Sequence, residues 1–167
     1  NLDSETSLNN GLGNALSYSS GLINNSLDFN GSSSNLEIPN NSNFSFNSQK
    51  SITLLINFDS LSDTQLIWKR NTVNEEYICN YNASLDRILF TIYTDTSNFI
   101  SISKENVNIS QNTWYVIQLN WDGTNENGLS ICLNGVLLNG TKTQTGSFTG
   151  STNKNIPTTF GYNVIAN

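Results

Sequence analysis

The stretch Ser51 to Phe58, SITLLINF, puts Ile52, Leu54, Ile56 and Phe58 at every second position, with Thr53, Leu55 and Asn57 between them. Successive side chains of a strand point to opposite faces, so this period suits a strand with one face on a core. It returns along the chain: Leu36 and Ile38 flank Glu37, and Tyr77, Cys79 and Tyr81 share one side of 76–81. In 87–93, Ile88, Phe90 and Ile92 oppose Leu89, Thr91 and Tyr93, while 99–103 carries Ile100 and Ile102. In 114–121, Tyr115, Ile117, Leu119 and Trp121 oppose Trp114 and Val116, so the two tryptophans fall on opposite faces. No segment shows the 3.6-residue period of an amphipathic helix. Asn30-Gly31, Asp122-Gly123 and Asn134-Gly135 punctuate the runs, and glycine takes the positive φ that tight hairpin turns need. About ten short strands are expected, and alternating strands must stack as two sheets to bury their apolar sides. The expected fold is all-β: an antiparallel β-sandwich, or jelly roll.

The segment from Asn1 to Ser20, broken by Gly11 and Gly13, reads as irregular surface chain, and the first clear strand is Ser26 to Phe29. Gln65 to Lys69 is a strand, and Arg70 to Glu76 a polar hairpin loop. Asn106 to Asn112 is a loop whose Val107 and Ile109 tuck against the core. Leu129 to Leu133 and Val136 to Leu138 form a hairpin, Gly140 to Asn155 is a polar, glycine-dotted loop, and Thr158 to Gly161 and Tyr162 to Ile165 close the chain. With 167 residues, one domain spanning 1–167 is expected.

Several classes of function are excluded by composition. The net charge is -6, and Lys69-Arg70 is the only adjacent basic pair, so nucleic acid is not a partner. The chain has no histidine, which removes imidazole bases, Ser-His-Asp arrangements and His-rich metal sites. No apolar run approaches ~18 residues, so no membrane insertion is expected, and no signal-peptide pattern is present. The absence of methionine implies a processed product or an internal segment. Asparagine is the commonest oddity, at 30 residues. Neutral amides suit an extracellular, cell-surface or virion location and hydrogen bonding to sugars; they suit an AT-rich genome equally. Seven N-x-S/T triplets, at Asn24, Asn30, Asn40, Asn43, Asn82, Asn108 and Asn139, follow from that composition. Cys79 and Cys132 can form a disulfide only if their strands lie side by side or face each other; otherwise they are buried free thiols.

The succession SLDFNG, LEIP, an F-x-F before the long alternating strand, WYVIQLNWDG, LSICLNGV and a late Phe-Gly resembles the laminin G-like and pentraxin-like branch of the concanavalin A-like lectin/glucanase superfamily. The matching stretches are Gly21 to Gly31, Trp114 to Gly123 and Leu129 to Val136, in the family's order. The resemblance implies a sandwich whose usual first and last strands lie outside this chain. Two missing neighbours would leave exposed edges or an uncovered strip of core, as in a fragment or a domain completed by another chain.

Glucanases of this fold carry a Glu-x-Asp-x-x-Glu strand motif, and a retaining pair needs carboxyls about 5 Å apart. Nothing in the chain matches: Glu75 and Glu76 are consecutive, and Asp59 and Asp63 lie in a loop. A non-catalytic protein is expected. Sugar binding needs amides and an aromatic face. The candidates are Trp68, Tyr77, Tyr81 and Tyr93, with Asn71 and Asn80 and their neighbours Asn74 and Asn82. Trp68 stands out because strand parity sets it opposite Ile67. The resemblance also implies calcium at the sandwich rim, for which Asp86, Asp95, Asp122 and Glu126 are the candidate ligands. Two functions follow: a carbohydrate-binding or adhesion domain that takes a glycan or surface glycoprotein, or a structural module of a virion or surface assembly that binds neighbouring protein chains.

Overall fold

The computed structural model describes residues 10–161. Within them lie β1 (Leu12–Asn14), β2 (Ser17–Ser20), β3 (Asn25–Asp28), β4 (Asn35–Ile38), β5 (Lys50–Asn57), β6 (Thr64–Arg70), β7 (Glu75–Asn82), β8 (Arg87–Asp95), β9 (Asn98–Lys104), β10 (Trp114–Trp121), β11 (Leu129–Leu133), β12 (Val136–Leu137), β13 (Thr141–Thr145) and β14 (Thr158–Gly161). Eight strands form one antiparallel sheet in the order β1-β4-β14-β6-β7-β8-β9-β13, and four form a second in the order β12-β11-β10-β5. The hairpin β2–β3 makes a small sheet of its own.

The two larger sheets meet through their alternating apolar faces. Ile88, Phe90, Ile92 and Ile100 come from one, Ile117, Leu119, Leu129 and Ile131 from the other, and all are fully buried in one cluster. Each such side chain contributes about 1.5–3 kcal/mol when taken out of water. Val107 and Ile109 do tuck into this cluster from their loop. Trp121 is buried in it and Trp114 is half-buried on the other face, as parity requires. Asn134 and Gly135 both have positive φ and close the β11–β12 hairpin.

Several expectations need correction. Leu12–Asn14 and Ser17–Ser20 are strands, where an irregular segment was expected. Thr141–Thr145, expected as loop, is an edge strand paired with β9. All five of its residues are exposed, so its order comes from the ladder and from the Ser101–Thr143 hydroxyl pair rather than from burial. Phe44 belongs to a 3-10 turn, Ser42–Phe44, while Phe46 drops into the core. The last expected strand, Tyr162 to Ile165, lies outside the described residues. Cys79 faces the core from the eight-stranded sheet and Cys132 lies in the other sheet, where it pairs with Gln118 rather than with a core position. Both are free thiols, and burial pushes the Cys79 pKa upward.

One irregularity matters for chemistry. Lys69 lies opposite Tyr77 and Arg70 opposite Glu75, which leaves Glu76 as the extra residue of a bulge. Simple alternation from Tyr77 would send Glu76 outward. The bulge turns it in beside Lys69, where both side chains are fully buried.

Candidate functional site

The second sheet stops at β5, but the eight-stranded sheet facing it continues past β6 through β14 and β4 to β1. A strip of the larger sheet carrying Leu66, Phe160 and Leu36 therefore runs on beyond the last strand of the smaller one. The β2–β3 hairpin stands over this strip. Between the hairpin and β5 lies an open groove of about 1360 Å³. Gly161 sits in its wall with φ +84, and a Cβ there would run into the Phe29 ring and the Ser34 carbonyl, so only glycine lets β14 pass beneath Phe29.

The polar part of the groove is built from strand register. Gln65 and Asn80 lie opposite each other across β6 and β7, and Asn57 lies opposite Trp114 across β5 and β10. All four line the groove, together with Asn82 and Arg87. Asn57 Oδ1, Gln65 Oε1, Asn80 Oδ1 and Arg87 Nε have no hydrogen-bond partner, and these are four of the ten buried polar atoms so placed among the described residues. Such atoms are rarely left unpaired, and four of them belong to residues that line this one groove. Asp63 is already occupied: its two oxygens accept from the Ala83 N–H and the Asn82 side chain, both at 2.8 Å, which ties the loop before β6 to the end of β7.

Of the residues singled out for sugar binding, the groove gathers Asn80, Tyr81 and Asn82. Tyr81 is buried, with its ring 5.2 Å from Phe58 and its hydroxyl donating to Asp86 Oδ1 at 3.0 Å. Desolvation, reinforced by Asp86, pushes its pKa up to about 12. Tyr77 is fully buried edge-on to Phe46, and desolvation raises its pKa. Neither tyrosine offers a face to a sugar. Trp68 lies opposite Ile78 and Thr159, on the reverse side of the sheet from Ile67, and is only 5% exposed. Tyr93 sits on that side too, half-buried against Phe99, and Asn71 closes the turn before β7 by accepting the N–H groups of Val73 and Asn74. The predicted set is thus divided among core, outer face and turn. Trp114, Asn57, Gln65 and Arg87 were missed. The available signal was the position of Trp114 at the start of its strand, on the face opposite Trp121.

The four candidate metal ligands do not converge. Asp86, at φ +44, accepts from Tyr81 and the Ile109 N–H on one oxygen and from the Asn108 N–H on the other, and so pins the loop that carries Val107 and Ile109. Asp95 accepts from the Ser97 N–H and the Asn98 side chain, and Asp122 from the N–H and hydroxyl of Thr124. These bonds hold both aspartates below the usual carboxylate pKa. Glu126 lies in a 3-10 turn, Glu126–Gly128, and accepts from Asn127. Among the described residues no three His, Cys, Asp or Glu side chains gather where an ion could sit, so these residues do not fit a calcium site.

Fold and groove together define a lectin-like antiparallel sandwich with a ligand-sized cleft at one flank. The profile of the laminin G type of the concanavalin A-like lectin/glucanases superfamily matches residues 30–164, and the chain belongs to that superfamily. No curated protein matches it. Among solved structures it is similar to the binding domain of botulinum neurotoxin serotype D/C, with a TM-score of 0.66 and 15% identity over 93% of this chain and 39% of that one. A binding domain of botulinum neurotoxin DC in complex with rat synaptotagmin II gives 0.61 and 16%, over 93% and 39%. A structure reported for ganglioside-dependent cell entry of botulinum neurotoxin type C gives 0.52 and 19%, over 77% and 31%. The chain therefore spans less than two fifths of each, and at these identities the likeness is one of fold.

Proposed function

We propose that this chain is a non-catalytic carbohydrate-binding or adhesion domain that acts at a cell or virion surface, with the groove beside β5 as its glycan site. The carrying observation is the groove itself, whose wall combines the amide side chains of Asn57, Gln65 and Asn80 with the half-buried Trp114. Sugar hydroxyls donate to amide oxygens, and the apolar face of a pyranose stacks on an indole ring. Involvement of Asp63 in fixing the groove wall supports binding without chemistry. The neighbours bear on this by analogy alone: one toxin depends on two ganglioside molecules for cell entry, and another binding domain is in complex with rat synaptotagmin II.

A second reading has its own support. β5 ends its sheet with an edge that pairs with no strand among the described residues, and the exposed Leu22 and Ile23 stand at the hairpin tip across the groove. A free edge beside apolar side chains suits a neighbouring protein chain.

The deciding experiment is a glycan-array scan of the full chain, with calcium and with chelator, beside Trp114→Ala. Saturable binding that the substitution abolishes supports the lectin reading, and insensitivity to chelator would fit the scattered carboxylates. A folded protein that binds no glycan moves the assignment to the structural module.

A further inference from the structure

The bulge between β6 and β7 brings an amine, a carboxylate and a carboxamide together. Lys69 Nζ lies 3.1 Å from Glu76 Oε1, and both side chains are fully buried. The same Nζ is 2.7 Å from Ser45 Oγ and 3.3 Å from Asn153 Oδ1. The backbone N–H of Lys154, next to Asn153, donates to Glu76 Oε1, while Glu76 Oε2 is buried without a partner. Asn153 Oδ1 also accepts the Asn155 N–H at 3.0 Å. Aromatic rings close the inner side, since Lys69 is registered opposite Tyr77, which packs on Phe46.

As a plain ion pair this arrangement is hard to justify, because desolvating two charges consumes most of what their attraction returns. Burial also lowers the Lys69 pKa, which favours the neutral, nucleophilic amine. A carboxylate touching that amine, with its second oxygen free, and an amide carbonyl within reach are the parts of an acyl transfer.

We propose that Lys69 and Asn153 are joined by an intramolecular isopeptide bond, with Glu76 as the proton carrier. Glu76 takes a proton from the Lys69 ammonium, and the freed Nζ lone pair attacks Asn153 Cγ. The Asn155 N–H takes up the charge that develops on Oδ1. The Nζ–Cγ bond forms and the Cγ–Nδ2 bond breaks. Glu76 relays to Nδ2 both protons that Nζ sheds, so nitrogen leaves as ammonium and the carboxylate is regenerated. One ammonium is consumed as an amide forms and one is released; nothing is oxidised or reduced. Asn153 stands on the solvent side of the cluster, which gives the ammonium an exit to water. The bond would fasten β6 to the loop that leads into β14, independently of what the groove binds.

Intact-mass spectrometry of the full chain tests this. The protein is expected to be lighter than its sequence by one ammonia, and its digest to contain one branched species linking the Lys69 and Asn153 peptides. Asn153→Ala, on an exposed loop position, and Glu76→Gln are each expected to restore the full sequence mass. Far-UV circular dichroism checks that each protein is folded. A folded wild-type chain at full sequence mass with both peptides linear overturns the bond. Loss of ammonia that persists in Asn153→Ala overturns the acceptor, and a branched species in Glu76→Gln overturns the role given to Glu76.

Discussion

The two flanks of the sandwich are made from the same kinds of strand and end differently. At one flank β9 and β11 meet across the core, and Ile100, Ile102, Leu129 and Ile131 are sealed. The 3-10 turn Glu126–Gly128 lies against β9 and β13, anchored where Lys142 Nζ donates to the Asn127 carbonyl at 2.6 Å. At the other flank β5 has no strand beyond it among the described residues, and Ile52 and Ile56 remain half-buried although they occupy the same alternating positions as Leu54. The run SITLLINF is as regular as any in the chain, yet it buries less than WYVIQLNW. Burial at a sheet position is decided by the neighbour, not by the residue.

The largest test of this contrast is a pair of truncations. Ile117→Ala, at a fully buried position paired with Leu54 of β5, is expected to cost about 2–5 kcal/mol in urea unfolding, as large-to-small changes in cores do. Ile56→Ala, at the open flank, is expected to cost clearly less, and equal losses would mean that the flank is closed in solution. Gly161→Ala comes next: forcing a side chain to φ +84 under Phe29 is expected to cost about 1–3 kcal/mol and to disturb the groove wall. Trp114→Ala, at a half-buried position, is expected to lower the unfolding midpoint less than Ile117→Ala does while weakening glycan affinity at least about tenfold, or ~1.4 kcal/mol, by isothermal titration. The smallest effect lies in acid. Asp95 and Asp122 have folded-state pKa values below the ordinary aspartate value, so each favours the fold above that value and loses its contribution as pH falls through its own lower one. A shallow decline in the melting temperature is expected below about pH 4, and Asp122→Asn is expected to reduce it.

Strands with two unlike faces could be read directly from the chain. Trp114–Trp121, Leu129–Leu133 and Thr158–Gly161 have the boundaries that alternation and turn residues imply. Thr141–Thr145 could not be found in this way, because a strand exposed at every residue has no period to detect. The site was less legible. Tyr77 and Tyr81 alternate as a stacking platform would, but parity cannot say which face is inward, and it is theirs. The bulge that turns Glu76 inward leaves no mark in composition. Asn80 lines the groove from β7, whereas Trp114 and Asn57 meet there only because two strands 57 residues apart in sequence are registered against each other.

The position of β14 has a consequence for how the chain is made. Only four residues long, it is the piece that joins β4 to β6 in the eight-stranded sheet, at a sequence distance of more than a hundred residues from β4. A ribosome therefore releases the β4 block and the β6–β9 block as two halves with unpaired edges, and the sheet becomes continuous only when residues 158–161 emerge. Completion of this sheet waits for residues 158–161 rather than for the strands before them, and stalled or nicked products that lack these four residues present the edges of β4 and β6 to chaperones and to one another.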